Sequence, residues 1–482
     1  MTVRGPDPTL QAQDRAFDRG SFRDRGGRVF RADGRILRTV DDAALGSWHA
    51  LSRTRFFAES VRAGKLPATR ELAPDEVRHV AEAQGWHGVL DHDPVPFVSY
   101  PFEWSFGMLR QAGLLQLELL AGALREGLTM KDATPYNVQW RGARPVFIDI
   151  PSFEPYRDGE PWVGYRQFCE LYLYPLLLEA YRGIPFQPLL RGRLEGVEAP
   201  TCLAAMSARD LARPGVLTHV WLHARAQQRF ADRPVSAPRD VAAAGFGKAL
   251  IERNVAGLTR LLRNLRPRRR SQSAWVGYRE TCSYDDRDRA TKSELVDRVA
   301  AGLHPAIVWD LGANTGEFSR IAARHAGYVL ALDADTGAVE RLFGELAGSG
   351  EGRVLPLVFD IADPSPALGW RGEERPALWD RGRPDLVLAL ALIHHLVIGA
   401  NLPLAEVVAW LASLGGDLVI EFVAKDDPMT QRLLRHKADQ YTDYDQAHLE
   451  ACLARSFEID ARVPLARGTR WLYSCRQRAG TR

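Results

Sequence analysis

The hydrophobic pattern changes character along the chain. Past residue 275, short apolar runs at 306–309, 328–332, 354–358, 385–390 and 418–422 alternate with helical stretches. Runs of that length between amphipathic helices predict a parallel sheet with helices on both faces, an α/β architecture. Pro403 opens one helix and Gly415 closes it, each at the end its backbone suits. The chain then reads FEIDARVPLARGTRWLYSCRQ, two long strands around an Arg467-Gly468 turn. A parallel sheet finished by an antiparallel hairpin is a specific arrangement.

Upstream the pattern is mixed. Residues 1–25 read as a mobile N-terminus. RVFRADGRILRTV predicts a hairpin around Asp33-Gly34. From Phe106 to Glu126 apolar residues recur at helical spacing (Leu109, Ala112, Leu115, Leu119, Leu120, Ala123), and Gly127 is placed to cap the helix. More helices are expected across 165–265. FCELYLYPLLLEAY is the most apolar stretch, but Glu170, Pro175 and Glu179 interrupt it, so it reads as a buried helix rather than a span. LRPRRRSQSA (265–274) is basic, polar and proline-bearing, and marks a boundary. The expected organisation is a mobile 1–25, a mostly helical α+β domain over 26–264, a linker at 265–274, and a Rossmann-like α/β domain over 275–482.

Composition narrows this only a little. The 482 residues are 46% hydrophobic and 26% charged, as expected of a globular chain with a large core. With 63 basic and 60 acidic residues the net charge is +3, which gives no general argument for nucleic acid. Basic charge is local, at Arg266, Arg268, Arg269 and Arg270. The five cysteines are scattered without metal-type spacing, which points to reduced thiols in a cytoplasmic protein and to no metal site. The polar N-terminus carries no apolar signal core, so no membrane partner is expected.

The candidate chemistry lies in IVWDLGANTGEFSR (307–320). An apolar strand ends in an acid, a glycine loop follows, and a helix begins. The phosphate loop of NTPases needs Lys and a hydroxyl after its last glycine, and neither follows Gly316. The dinucleotide fingerprint needs glycines where Asn314 and Glu317 stand. The remaining pattern is Asp-x-Gly-x-Asn-x-Gly, in which Gly312 and Gly316 permit sharp turns and close approach to a ligand. Asp310 is placed to face an ammonium group. Asp333 ends the next strand, 23 residues later, where a carboxylate accepts both hydroxyls of a ribose. A cationic amino-acid part and a ribose together describe S-adenosylmethionine.

On these residues, 275–476 resembles the class I S-adenosylmethionine-dependent methyltransferases, whose fold is a seven-stranded sheet with a final hairpin. The resemblance implies that Asp310, Gly312, Asn314 and Gly316 cradle the methionine part, that Asp333 binds the ribose, and that Asp360 sits near the adenine. It also implies that LALALIHHL faces the substrate. Asn314 departs from a glycine in many members, and asparagine tolerates left-handed backbone angles. The candidate bases are His394, His395 and Glu421, the last at the end of a strand on the ligand-binding edge of such sheets. Trp275, Tyr278 and Tyr284 precede the sheet as candidate covers for cofactor or acceptor.

A second constellation is MKDATPYNVQWRGARPVFIDI (130–150). It resembles the catalytic loop of protein kinases and aminoglycoside-type phosphotransferases. Carried over, the hydroxyl-orienting acid falls on Asp132, and the magnesium ligands fall on Asn137 and Asp149. Met130 replaces that motif's histidine, and Ile150 and Pro151 replace its Phe-Gly. No phosphate-pairing lysine stands in an early strand, where Arg38 is the only substitute. The chain also resembles two-domain bacterial methyltransferases in which segments like YPFEWSFGMLRQAGLL and FIDIPSFEPY precede the methyltransferase domain.

The expected function is transfer of a methyl group from S-adenosylmethionine to an oxygen or nitrogen of a small-molecule or glycan-like acceptor, which residues 26–264 select. The alternatives are an RNA methyltransferase, to which the 266–270 arginines point, and a bifunctional protein with an ATP-binding kinase-like domain.

Overall fold

The computed structural model describes residues 17–225, 247–268 and 286–478. Trp275, Tyr278 and Tyr284, most of the expected linker, and Arg269 and Arg270 lie outside the described residues.

Five parallel strands form the heart of the second half: β9 (Ile307–Leu311), β10 (Tyr328–Asp333), β11 (Val354–Val358), β12 (Leu386–Ala389) and β13 (Asp417–Val423). The terminal hairpin β14 (Phe457–Pro464) and β15 (Arg470–Gln477) completes the sheet. The order is β11-β10-β9-β12-β13-β15-β14, with β15 antiparallel to β13. β9, β10 and β12 are buried almost throughout, as strands covered on both faces must be. The strand order reverses between β9 and β12, and that is where open α/β sheets bind ligands.

The first half carries a four-stranded antiparallel sheet, β1 (Gly27–Ala32), β2 (Arg35–Val40), β4 (Gly88–His92) and β3 (Thr69–Glu71) in spatial order. The hairpin forms around Asp33-Gly34, both residues having positive φ. The stretch expected to be mobile through residue 25 is built into the fold from Phe17 on: Phe17 bridges Phe30, and Asp24 pairs with Arg38. The helix Phe106–Arg125 runs where the apolar spacing placed it, with Ser105 capping its start and Gly127 in a left-handed conformation beyond its end. FCELYLYPLLLEAY is buried and helical, with π-helical turns at Cys169–Leu173 and Leu178–Arg182. No helix among the described residues is long and apolar enough to cross a membrane.

The two halves share packing. Trp140 meets Phe343 edge to face, with ring centroids 5.6 Å apart. The Gly107 N–H donates to Glu340 at 2.7 Å. Arg381 pairs with Glu103, and both side chains are almost fully buried.

Candidate functional site

β9 delivers Asp310 to the switch point, and the chain must then turn within a few residues into the helix Glu317–Ala322. Gly312, Asn314 and Gly316 all take positive φ to make that turn. A Cβ on Gly316 would stand 2.6 Å from Leu342, so space as well as backbone angle requires glycine there. β10 ends beside the loop. Asp333 Oδ2 accepts the Asn314 N–H at 2.7 Å, and its Oδ1 accepts the Asp335 N–H at 2.8 Å.

This loop opens on a cavity of about 660 Å³. Asp310, Gly312, Asn314, Asp333, Asp360 and His395 all line it. The structure thus gathers most of the residues that sequence reasoning singled out from three strand ends and one turn. Gly316 lies beneath the loop, between Thr315 and Glu317, which do line the cavity.

Burial shapes the electrostatics. It pushes the Asp310 carboxyl up to about 7; the Ser319 hydroxyl, which donates to Asp310 Oδ2 at 2.5 Å, opposes the shift, and nearby Asp333 adds to it. Burial also raises Asp333, against the two backbone N–H groups it accepts. His395 is held down at about 4 by burial and then by Arg470, so its imidazole is neutral at physiological pH.

Two of the candidate bases sit away from the cavity wall. Glu421 has no exposed surface and is clamped between Lys292 Nζ at 2.6 Å and Arg470 Nη1 at 3.2 Å. A carboxylate engaged by two buried cations, with no exposed surface, is committed to the packing of the fold. His394 is also fully buried and does not line the cavity. Its ring lies 4.1 Å from that of His395, and burial drives it far below the usual histidine range. Of the three candidate bases, His395 is the one that lines the cavity.

Lys292, Arg289 and Phe318 line the cavity and were missed. Lys292 had a signal: it sits on the apolar stripe of its helix, with Leu295, Val296 and Ala300, where a lysine is out of place.

The kinase-like trio is also brought together. β5 (Leu128–Met130) pairs with β8 (Phe153–Pro155), and β6 (Val138–Arg141) with β7 (Arg144–Phe147), so the loop between β5 and β6 faces the turn after β7. Asn137 Nδ2 donates to Asp149 Oδ2 at 3.0 Å, and Arg38 Nη1 to Asp149 Oδ1 at 2.6 Å. Arg38 also holds Asp24. Burial and then the Asp149 charge push Asp132 up to about 6. Asp149 is engaged by an arginine and an amide, an arrangement that ties the β1–β2 hairpin to the loop. Among the described residues no group of three or more His, Cys, Asp or Glu side chains is placed to hold a metal.

No family model matches the chain. Among solved structures it is similar to the N-methyltransferase NodS of Bradyrhizobium japonicum WM9 with S-adenosyl-L-homocysteine, at 13% identity, 43% of this chain, 99% of that one and a TM-score of 0.31. It is also similar to magnesium protoporphyrin IX methyltransferase of Synechocystis PCC 6803, at 18% identity, 44% of this chain, 90% of that one and a TM-score of 0.29. Scores of this size leave the fold to be argued from the strand order itself. The sequence match is of another kind. The nodulation protein NoeA of Rhizobium meliloti (strain 1021) is 35% identical over 456 residues, covering 94% of this chain and 95% of that protein. Identity sustained along nearly the whole of both proteins means common descent, and the chain belongs to the family of the nodulation protein NoeA.

Proposed function

We propose that the chain is an S-adenosylmethionine-dependent methyltransferase acting on an oxygen or nitrogen of a small-molecule or glycan-like acceptor. One observation carries the reading: the glycine loop after β9 and the acid ending β10 are bonded to each other over a cavity at the sheet's switch point. The donor set fits that cofactor. A buried carboxyl at Asp310 suits a cationic group, and Asp333 keeps lone pairs for hydroxyls after accepting two backbone N–H groups. Asp360, after β11, also lines the cavity, and the adenine is assigned to it.

When bound, S-adenosylmethionine supplies a methyl group already activated on a sulfonium. The protein's share is mainly alignment. Asp310, Asp333 and the loop 312–316 fix the cofactor. Neutral His395 accepts a proton from the acceptor as the bond forms. Lys292, held by Glu421, sets a buried positive charge at the wall. Residues 26–264 select the acceptor.

Calorimetric titration of the full chain with S-adenosylmethionine tests this. Saturable micromolar binding that Asp333→Ala abolishes or weakens supports it, and absence of binding overturns it. A second reading keeps a nucleotide at Asp132, Asn137 and Asp149, because the fold brings these side chains together. Titration with Mg-ATP decides it: binding lost in Asp149→Ala makes the chain bifunctional, and no binding leaves Arg38 and Asp149 as a structural clamp. The RNA alternative gains no structural observation, since Arg266 turns back onto the carbonyls of Arg263 and Leu265.

A further inference from the structure

We propose that a second cleft, far from the glycine loop in sequence and sharing no residue with its cavity, binds the phosphate or sulfate group of a small organic ester. The cleft lies between the π-helical turns Leu178–Arg182 and Val216–Trp221 and the helix Lys248–Asn264.

Its walls are unusual in three respects. Two of its three bounding elements are π-helical, a rare conformation that recurs at functional sites because it displaces side chains from the regular helical register. Here the displaced turns supply Tyr181 from one side and Thr218 and His219 from the other. Next, Arg213 and Arg260 line the cleft with Asn264, Arg266 on the same wall being turned onto the carbonyls of Arg263 and Leu265, and among the described residues no carboxylate does. Arg213 is fixed in place by Asp210 at 3.0 Å and by the Tyr181 ring, 4.8 Å from its guanidinium. Arg260 is exposed and makes no ion pair among the described residues. Finally, Gly215 takes a left-handed φ of 84°, and a Cβ there would stand 2.4 Å from Leu261, so the turn is built tight against the opposite wall.

His219 completes the donor set. Its Nδ1 lies 2.7 Å from the Tyr165 hydroxyl. Tyr165 also neighbours the Cys169 thiol, but an imidazole nitrogen is much the better acceptor, so the phenol proton goes to Nδ1. The ring proton then sits on Nε2, which no described residue bonds and which is not sealed from solvent. Burial and His223 hold the imidazole at about 4, so it is neutral and donates this N–H over the physiological range. Guanidinium forks together with a ring N–H match a tetrahedral oxyanion, which accepts several donors at once. The cleft, at about 600 Å³, exceeds what one inorganic ion fills, and Tyr181, Pro214 and Leu261 offer apolar surface for the organic part.

The test uses the full chain with phenyl phosphate, phenyl sulfate and neutral benzyl alcohol, read by calorimetry. At least one ester is expected to bind well above benzyl alcohol, and the preferred ester identifies the natural group. Arg260→Ala, at an exposed position that leaves folding intact, is expected to weaken that ester by about tenfold, while S-adenosylmethionine affinity stays unchanged. Tyr165→Phe is expected to weaken it less, by freeing the His219 tautomer. The proposal falls if neither ester outbinds benzyl alcohol, or if Arg260→Ala leaves ester affinity unchanged.

Discussion

Asp333 Oδ2 accepts the Asn314 N–H at 2.7 Å, so the end of one strand holds the glycine loop that follows its neighbour. The same carboxylate faces the cavity. Asp333→Ala slackens the loop and, on the proposed reading, removes a contact to the cofactor ribose. S-adenosylmethionine affinity is expected to fall at least tenfold, about 1.4 kcal/mol. Asp333→Asn, which keeps an acceptor oxygen but no charge, should lose less. Equal affinity in wild type and Asp333→Ala removes this residue from the site.

The proposed contact between Asp310 and the cofactor predicts binding that depends on pH. Its carboxyl, raised to about 7, is mostly protonated in the ligand-free protein below that pH. A raised carboxyl favours folding at low pH, and this contribution is lost as pH climbs from the unfolded value near 4 through about 7. A cation beside it prefers the ionised form and reverses that preference. Binding should then release close to one proton at pH 6 and almost none at pH 8, with affinity falling about tenfold per unit below pH 7. Calorimetry in buffers of different ionisation enthalpy counts the protons. Release that does not change with pH shows that no cation sits against Asp310.

These two acids were legible because strand, glycine loop and a second strand ending in acid form a local pattern, each part set by nearest neighbours. All five parallel strands and the terminal hairpin followed from period and turn chemistry alone. Other features are not local. Whether Glu421 is a base or an ion-pair partner depends on Lys292, 129 positions earlier, and on Arg470, 49 later. Asp24 is tied to the β1–β2 hairpin because Arg38 comes back to meet it. The roles of His394 and His395 split because neighbours in sequence point different ways from a turn, which periodicity does not report.

That split can be measured. His395→Ala should lower kcat by about 10²–10⁴ with little change in melting temperature, since its imidazole lines the cavity and is the proposed proton acceptor. Lys292→Met should instead act mainly on stability, costing about 1–3 kcal/mol, since Glu421 loses one of its two buried partners and keeps Arg470. If His395→Ala keeps full activity towards an identified acceptor, proton transfer lies elsewhere.

The two halves are joined by a charge pair that neither half satisfies alone. Arg381 stands in the connection between β11 and β12, the same connection that begins at Asp360 in the cavity wall. Its guanidinium donates to Glu103 Oε2 at 2.9 Å and to the Val98 carbonyl at 2.7 Å, and lies 4.6 Å from the centre of the Tyr100 ring. Glu103 is 1% exposed and also accepts the Tyr100 N–H at 2.8 Å. Arg381→Met strands that carboxylate in an apolar setting and is expected to cost about 3–5 kcal/mol. Adding Glu103→Gln removes the stranded charge, so the double variant should be more stable than the sum of the singles by about 1–3 kcal/mol. Urea unfolding of the four proteins gives this coupling directly. A fragment beginning near residue 275 would carry the unpaired Arg381 and the uncovered Phe343 ring on its surface, and should be less stable than the full chain. Strict additivity would mean that the pair is solvated and the halves dock loosely. A clear coupling would mean that the wall of the cavity is braced from the N-terminal half.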